Sequence, residues 1–265
     1  MSKPQVIIDC FPESARKYSR SHAIVAIDVI RATTSAISAV ASGRRCITVP
    51  SLDVMQEKVL DLENPLLVGE LGGDMPAGFH MNNSPDDLLR RTDIERPVVL
   101  LSTSGTRLVY EARFAGTTFL ACFRNWRATA QYLISSRLQR VAVIGAGSRG
   151  EFREEDQMCC AWIADALLEA GYEAGDSGTR AFVELWRGAD SDACRVSNSA
   201  KYLIRTGQEH DLDFVIDHVN DLDSVFFAAH GGEIFEGNAV EYPESYPAKP
   251  MKSFSVVGEG SIAPI

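Results

Sequence analysis

Residues 25–43 read VAIDVIRATTSAISAVASG. An apolar run ends in an acid, Asp28. Three residues on stand Arg31, Ala32, Thr33 and Thr34, and a helical pattern follows over 32–42. A short, continuously apolar run bounded by polar residues reads as a strand covered on both faces. A strand that hands over to a helix in this way is the building unit of α/β proteins, whose ligands bind at the carboxyl ends of the strands. The handover places a carboxylate, a guanidinium and two hydroxyls at one chain turn. Asp28 can ligate a hard cation through oxygen or attack phosphorus directly. Arg31 can grip phosphate or sulfonate oxygens as a fork, and Thr33 and Thr34 can donate hydroxyls. A plain helix cap, with Arg31 paired to Asp28, accounts for the same residues equally well.

The unit recurs. VVLLSTSGTRLV and VAVIGAGSRGEFREED also pass from an apolar strand through a polar or glycine-rich loop into a helix. Helix N-termini offer free N–H groups and a positive dipole end, so three such loops point to an anion site. Strands are expected at 5–9, 24–29, 46–49, 66–70, 98–102, 117–123 and 141–146, and helices at 32–42, 51–62, 105–115, 125–137 and 154–170. Ser84 is a natural N-cap with Pro85 at the first helical position. The alternation predicts a layered α/β/α fold with a mainly parallel or mixed sheet. Residues 170–178 read as a loop with a helix stop, 179–220 as mostly helical, and SVFFAAH (224–230) as one more strand. The Pro-rich end, 241–265, is expected to wrap the surface. The whole chain reads as one domain, or as two intimate lobes, a strand-rich core over about 1–170 and a helical, wrapping part over about 171–265.

The chain has 265 residues and a formal net charge of −10. A nucleic-acid binder would need a basic face, so that class is excluded. An anionic substrate is not, because the field in a pocket differs from the net charge. No apolar stretch is long enough to span a bilayer. The six cysteines form no CxxC pair and read as reduced thiols of a cytoplasmic protein. An acidic α/β chain of this kind suits a homo-oligomer, though nothing sets the number.

Several other stretches carry candidate chemistry. LLVGELGGDMPAGFHMNNSP (66–85) puts Glu70 at a strand end before Gly72 and Gly73, with Asn83 and Ser84 as donors before a helix. Its length and irregularity favour function over plain connection. In LSTSGTR (101–107), Ser102, Thr103, Ser104 and Thr106 surround Gly105 as a hydroxyl-rich nest. No Lys follows the glycine, so it is not a P-loop. Gly145, Gly147 and Gly150 spell GxGxxG after a strand. A dinucleotide-dependent oxidoreductase built on this loop is therefore one rival reading. The acids Glu154, Glu155 and Asp156 that follow suit a divalent metal better than a pyrophosphate. Cys10-x5-Arg16 has the spacing of cysteine phosphatases, but the loop has no glycine and contains Pro12 and Glu13, so a structural role is expected.

Taken in order, AIDVIRATT, GELGG…PAGF…NNSP, STSGT, FRNWRA and GAGSRGEFREEDQMCCA resemble the 2-phosphosulfolactate phosphatase family, the ComB-like proteins of coenzyme M biosynthesis, over about residues 5–215. The resemblance implies a Mg²⁺-dependent acid phosphatase that converts (2R)-2-phospho-3-sulfolactate to 3-sulfolactate and phosphate. Asp28, Arg31, Glu70 and Asp156 are then the expected catalytic residues, and Asp28, Glu155 and Asp156 the ligands of Mg²⁺ or its waters. Thr33, Thr34, Gly72, Gly73, Asn83, Ser84, Thr103, Ser104, Gly105, Thr106, Asn125, Gly147, Ser148 and Gly150 would line the substrate and phosphate site. Backbone N–H groups of loops 31–34, 103–106 and 147–150 would hold the phosphate, and Arg107, Arg124 or Arg149 the substrate's second acidic group. The family usually carries Arg where this chain has Leu71, and Asn where it has Ser104, so one cationic contact is expected to be lost. A non-catalytic anion-binding homologue is the second rival.

Overall fold

In the computed structural model, which describes residues 3–237, strand and helix alternate as the apolar runs predict. The order is β1 (Gln5–Cys10), α1 (Pro12–Tyr18), β2 (Ala23–Ile27), α2 (Ala32–Ala41), β3 (Cys46–Val49), α3 (Leu52–Leu60), β4 (Leu66–Gly69), α4 (Pro85–Leu89), β5 (Val98–Leu101), α5 (Gly105–Glu111) and β6 (Thr118–Ala121). There follow α6 (Trp126–Ser135), β7 (Arg140–Gly145), α7 (Glu154–Glu169), β8 (Glu173–Ala174), α8 (Ser177–Trp186), α9 (Asn198–Arg205), α10 (Glu209–Asp217), β9 (Val225–Ala228) and β10 (Glu233–Gly237). The seven strands expected before residue 150 lie within two residues of their predicted ends, and β9 occupies the eighth. The Pro-rich stretch 241–265 lies outside the described residues.

All ten strands form one sheet in the order β4-β5-β3-β10-β9-β6-β2-β7-β1-β8. The block β4-β5-β3 is parallel, as is the block β6-β2-β7-β1-β8. Antiparallel pairing is confined to the β9–β10 hairpin that joins them. Because direction alternates through that hairpin, the two blocks run in opposite senses along the ladder. Five strand-to-strand steps separate β5 from β2. At about 20–25° of twist per step the sheet turns by about 100–125° over that distance. That turn brings the carboxyl ends of β5 and β2 together: a methyl added at Gly105, just after β5, would lie 2.2 Å from Asp28 Oδ2, just after β2.

The side-chain period of two explains the layers. Val25 and Ile27 of β2 enter one core with Val141 and Val143 of β7, covered by α6, α7 and the helices α8–α10. Ile24 and Ala26 face a second core, which Leu66 and Val68 of β4 and Val98 and Leu100 of β5 also enter. Both blocks therefore present a face to this inner core. It encloses α2, whose residues Ala32–Ala39 are all buried. The sequence ATTSAISAVA suits that place, because small side chains let a helix be packed on all sides.

Three elements depart from the sequence reading. Residues 12–18 form α1, begun by Pro12 and anchored by buried Ala15 and Tyr18. Cys10 ends β1 buried, its thiol pushed up to about 12 by burial and then by Asp156, and Arg16 binds Glu111. The cysteine-phosphatase spacing is thus structural. β8 is a two-residue edge strand within the expected loop, too short and exposed to show a pattern. β10 pairs behind the Gly231-Gly232 turn with only Ile234 buried, so it gives no apolar run.

Candidate active site

The loops after β2, β4, β5 and β7 open on one cavity of about 480 Å³. Twelve of the expected site residues line it: Asp28, Arg31, Glu70, Gly72, Gly73, Asn83, Thr103, Ser104, Gly147, Ser148, Glu155 and Asp156, with Arg149 beside them. Its floor is acidic. Asp28 directly follows β2, and its Oδ1 accepts from Ala32 N–H at 3.2 Å, at the start of α2. Asp156, in the first turn of α7, accepts from Val29 N–H at 2.8 Å and from Gly147 N–H at 3.4 Å. Asp156 therefore ties the β2 and β7 loops together. Glu155 is buried, and its Oε2 has no hydrogen-bond partner among the described residues. Glu70 clamps the β4 loop to the β5 loop. Its Oε1 accepts from Thr103 N–H at 2.7 Å, and its Oε2 from Thr103 Oγ1 and Gly73 N–H, each at 2.8 Å.

Burial pushes the Asp28 carboxyl up to about 7, with Glu70 and Glu155 adding to the rise while Ala32 N–H and Arg31 oppose it. Asp156 is raised well above the carboxylate range by burial, then by Asp28 and Glu155. Burial raises Glu155 as well. A carboxyl raised in the folded state loses its proton first in the unfolded chain. Between pH about 4 and about 7 the folded state therefore holds more protons, and stability falls as pH rises through that window. In cation-free buffer the melting temperature of the wild type relative to Asp28→Asn is expected to drop between pH 5 and pH 8. A difference that stayed constant would show that Asp28 is ionised throughout.

The hydroxyls and amides are deployed differently from expectation. Thr33 Oγ1 donates to Asp28 O and Ala121 O, each at 2.8 Å, and Thr34 Oγ1 to Val29 O at 2.7 Å. Ser84 Oγ caps α4 by accepting from Asp87 N–H. Thr106 Oγ1 closes a turn on Ser102, and Asn125 holds Cys122 and Leu120. Gly105 packs on Asp28, and Gly150 lies outside the cavity lining. These seven residues shape the loops without lining the cavity. Many backbone donors assigned to phosphate are also engaged: Ala32 on Asp28, Thr103 on Glu70, Gly147 on Asp156 and Ser148 on Glu151 O. A buried acid at a helix start is the strongest local acceptor. These four N–H groups are thus already engaged within the protein. Arg107 pairs with Glu13 and Arg124 with Asp221, both away from the cavity.

Of the three candidates only Arg149 reaches the cavity, and further cations come from elsewhere. Arg149, Arg153, Lys201 and Arg205 line it with Arg31, and α9 further contributes Asn198, Ser199 and Tyr202. Tyr202 Oη donates to Gly73 O at 2.6 Å and Arg149 Nη2 to Gly72 O at 3.2 Å, so this rim latches onto the glycine loop. Gly73, at φ 100, admits the contact, since an added methyl would lie 2.7 Å from Tyr202 Oη. Among the described residues, Arg149, Lys201 and Arg205 make no salt bridge. Arg31, by contrast, is buried against Asp211. Sequence reading missed α9 and Asp211. The signals were modest: Lys201 and Arg205 four apart on one face, and Asp211 in a helical position otherwise apolar, beside Leu212 and Val215.

The GxGxxG loop has no Rossmann context. The strand after α7 is β8, which pairs with β1 and not with β7. Among the described residues no helix is long and apolar enough to cross a membrane.

A sequence model of the family described as 2-phosphosulpholactate phosphatase matches residues 10–229. A probable 2-phosphosulfolactate phosphatase of Synechococcus sp. strain WH7803 is 31% identical over 209 residues, 77% of this chain and 85% of the relative. One from Synechococcus sp. strain CC9605 is 32% identical over 204 residues, 74% and 84% of the two chains. Another, from Pseudothermotoga lettingae, is 34% identical over 172 residues, 64% and 71%.

Proposed function

This chain belongs to the 2-phosphosulfolactate phosphatase family, and from that premise we propose that it is a Mg²⁺-dependent acid phosphatase acting on (2R)-2-phospho-3-sulfolactate, in the manner of coenzyme M biosynthesis. Membership makes it a phosphoric monoester hydrolase. The observation that carries the finer reading is the division of one cavity into a buried acidic floor and a cationic rim. The floor consists of Asp28, Glu155 and Asp156, all oxygen donors, and includes a buried Glu155 oxygen with no hydrogen-bond partner among the described residues. That donor set fits Mg²⁺, which keeps several of its waters and takes few carboxylates directly. Asp28, Glu155 and Asp156 would hold it or its waters. Bound there, the ion supplies charge neutralisation at the transferring phosphoryl group.

The chain's own groups do the rest. Phosphoryl transfer asks chiefly for positioning and charge stabilisation. Arg31 lines the cavity, where it would grip phosphate oxygens. Arg149, Lys201 and Arg205 balance the second anionic group. Leu71 pairs with Asp74 through the backbone and stays outside the lining, while α9 brings Lys201 and Arg205 to the cavity. Glu70 spends both oxygens on the β4 and β5 loops and serves to hold them. Asp28 is either a cation ligand or a covalent nucleophile. Hydrolysis of an ester chiral at phosphorus separates the two, since direct attack by water inverts phosphorus and passage through an Asp28 acyl phosphate, with two displacements at phosphorus, retains it.

The test is phosphate release from racemic 2-phospho-3-sulfolactate, with Mg²⁺ and with EDTA, beside phospholactate, phosphoglycolate and phosphoglycerates. Mg²⁺-dependent release that favours the sulfonate is expected. Lys201→Ala should raise KM for the sulfonate ester about tenfold and change kcat little, as loss of a uniform binding contact does. Release from another ester alone would move the substrate. Binding without turnover on any ester would leave only an anion-binding homologue.

A further inference from the structure

The Arg31 guanidinium is held from behind. One nitrogen, Nη1, donates to Asp211 Oδ2 in an ion pair whose side chains are 4% and 0% exposed. Asp211 belongs to the first turn of α10, 180 residues from Arg31 in the chain. Its other oxygen, Oδ1, accepts from Ser84 Oγ at 2.6 Å and from Asp86 N–H at 3.4 Å. Ser35 Oγ, one turn beyond Arg31, donates to Arg31 O at 3.0 Å and to Asn83 O at 2.5 Å. The start of α2, the N-cap of α4 and the start of α10 therefore meet at one fully satisfied carboxylate. Arg31 nevertheless lines the cavity. A buried pair of this kind contributes little net stability compared with apolar packing, so its use lies in the orientation it imposes.

We propose that Asp211 is a positioning residue for hydrolysis, fixing Arg31 so that the unpaired edge of its guanidinium faces the phosphoryl group of the substrate. The inference rests on the reading that Arg31 grips phosphate. A guanidinium on a long aliphatic stem has several rotamers, and a carboxylate behind it selects one before the substrate arrives. Ser84 and the Asp86 N–H fix that carboxylate in turn. Asp211 touches no part of the cavity itself.

The test combines Arg31→Ala, Asp211→Asn and the double variant, with kcat, KM and melting temperature measured on 2-phospho-3-sulfolactate. Arg31→Ala is expected to lower kcat by about 10²–10³-fold. Asp211→Asn should lower kcat about 10–100-fold, the size typical of an outer partner of a site group. The double variant should fall no further than Arg31→Ala, because Asp211 acts only through Arg31. Guanidinium ion at a concentration below denaturation should restore Arg31→Ala about tenfold or more and leave the double variant unrestored, since only the former keeps the carboxylate that seats it. A purely structural Asp211 would lower the melting temperature, add its loss to that of Arg31→Ala and leave the rescue the same in both, which would overturn the proposal. Wild-type kcat in Arg31→Ala would instead remove the reading of Arg31 itself. Should Asp211→Asn fail to fold, Ser84→Ala takes the shorter of the two hydrogen bonds from Asp211 Oδ1, leaves the Asp86 N–H, and keeps the ion pair. It should lower kcat in the wild type and leave kcat unchanged in the Arg31→Ala background; an unchanged kcat in the wild type would overturn the proposal.

Discussion

Asp28→Asn is expected to lower kcat on the phosphate ester by about 10³-fold or more, whichever of its two roles Asp28 takes, because the amide can neither ligate a hard cation as a carboxylate does nor attack phosphorus. The fold should survive. The hydrogen bond from Ala32 N–H to Oδ1 needs only an acceptor, which an amide oxygen supplies. Removing a carboxyl that burial has pushed up to about 7 also relieves the crowd formed with Glu70 and Glu155. The melting temperature in cation-free buffer at pH 8 should therefore be equal to or above that of the wild type, a stabilisation gained at the expense of function. Steady-state kinetics beside thermal melts check both halves. Retained hydrolysis would displace Asp28 from the reaction, and a fall in melting temperature would show that its charge is compensated in the folded protein.

Gly105→Ala should cost more than its one methyl suggests. Ala is normally the better helix former by about 1 kcal/mol, so at an open position the change would help. Here the new carbon would sit 2.2 Å from Asp28 Oδ2 and 2.5 Å from Ala32 Cβ. Asp28 is tethered by the Ala32 N–H, and the Ala32 carbon is fixed to the buried backbone of α2, so neither yields cheaply. The start of α5 must move instead. A net loss of about 1–3 kcal/mol of stability is expected. Activity should fall about 10²-fold in the variant that remains folded, as Asp28 or the Thr103–Ser104 loop leaves its place. Gly116→Ala is the control, since an added methyl there meets nothing within 4 Å and should stay within about 0.5 kcal/mol of the wild type. Equal behaviour of the two variants would mean that the β5 and β2 loops do not abut.

The floor of the cavity was legible because each part of it is local. Asp28 stands at the end of an apolar run, and Glu155 and Asp156 stand in the first turn of the helix that follows another. The rim was not. Lys201, Tyr202 and Arg205 sit on a short amphipathic helix that looks like any other surface helix until α9 is packed over Gly72 and Gly73. Asp211 could be noticed only as an acid sharing a helix face with Leu212 and Val215, and its partner lies 180 residues away. The hydroxyl-rich loops misled for a related reason. Ser, Thr and Asn bind nearby backbone as readily as they bind ligands, and Thr33, Thr34, Thr106 and Asn125 do so here.

Local period and capping were enough to determine eight of the ten strands, most of the helices, the α/β class and the acids at the strand ends, since these depend on residues within a turn or two of one another. Which loops meet was decided by the twist of a ten-stranded sheet closing around α2, and which cations face the acids was decided by where α9 docks. Both depend on contacts between segments far apart in the chain, where no periodicity reaches. The same folding decided which donors remain for a ligand, because an N–H group is available to phosphate only if no nearer acid has already claimed it.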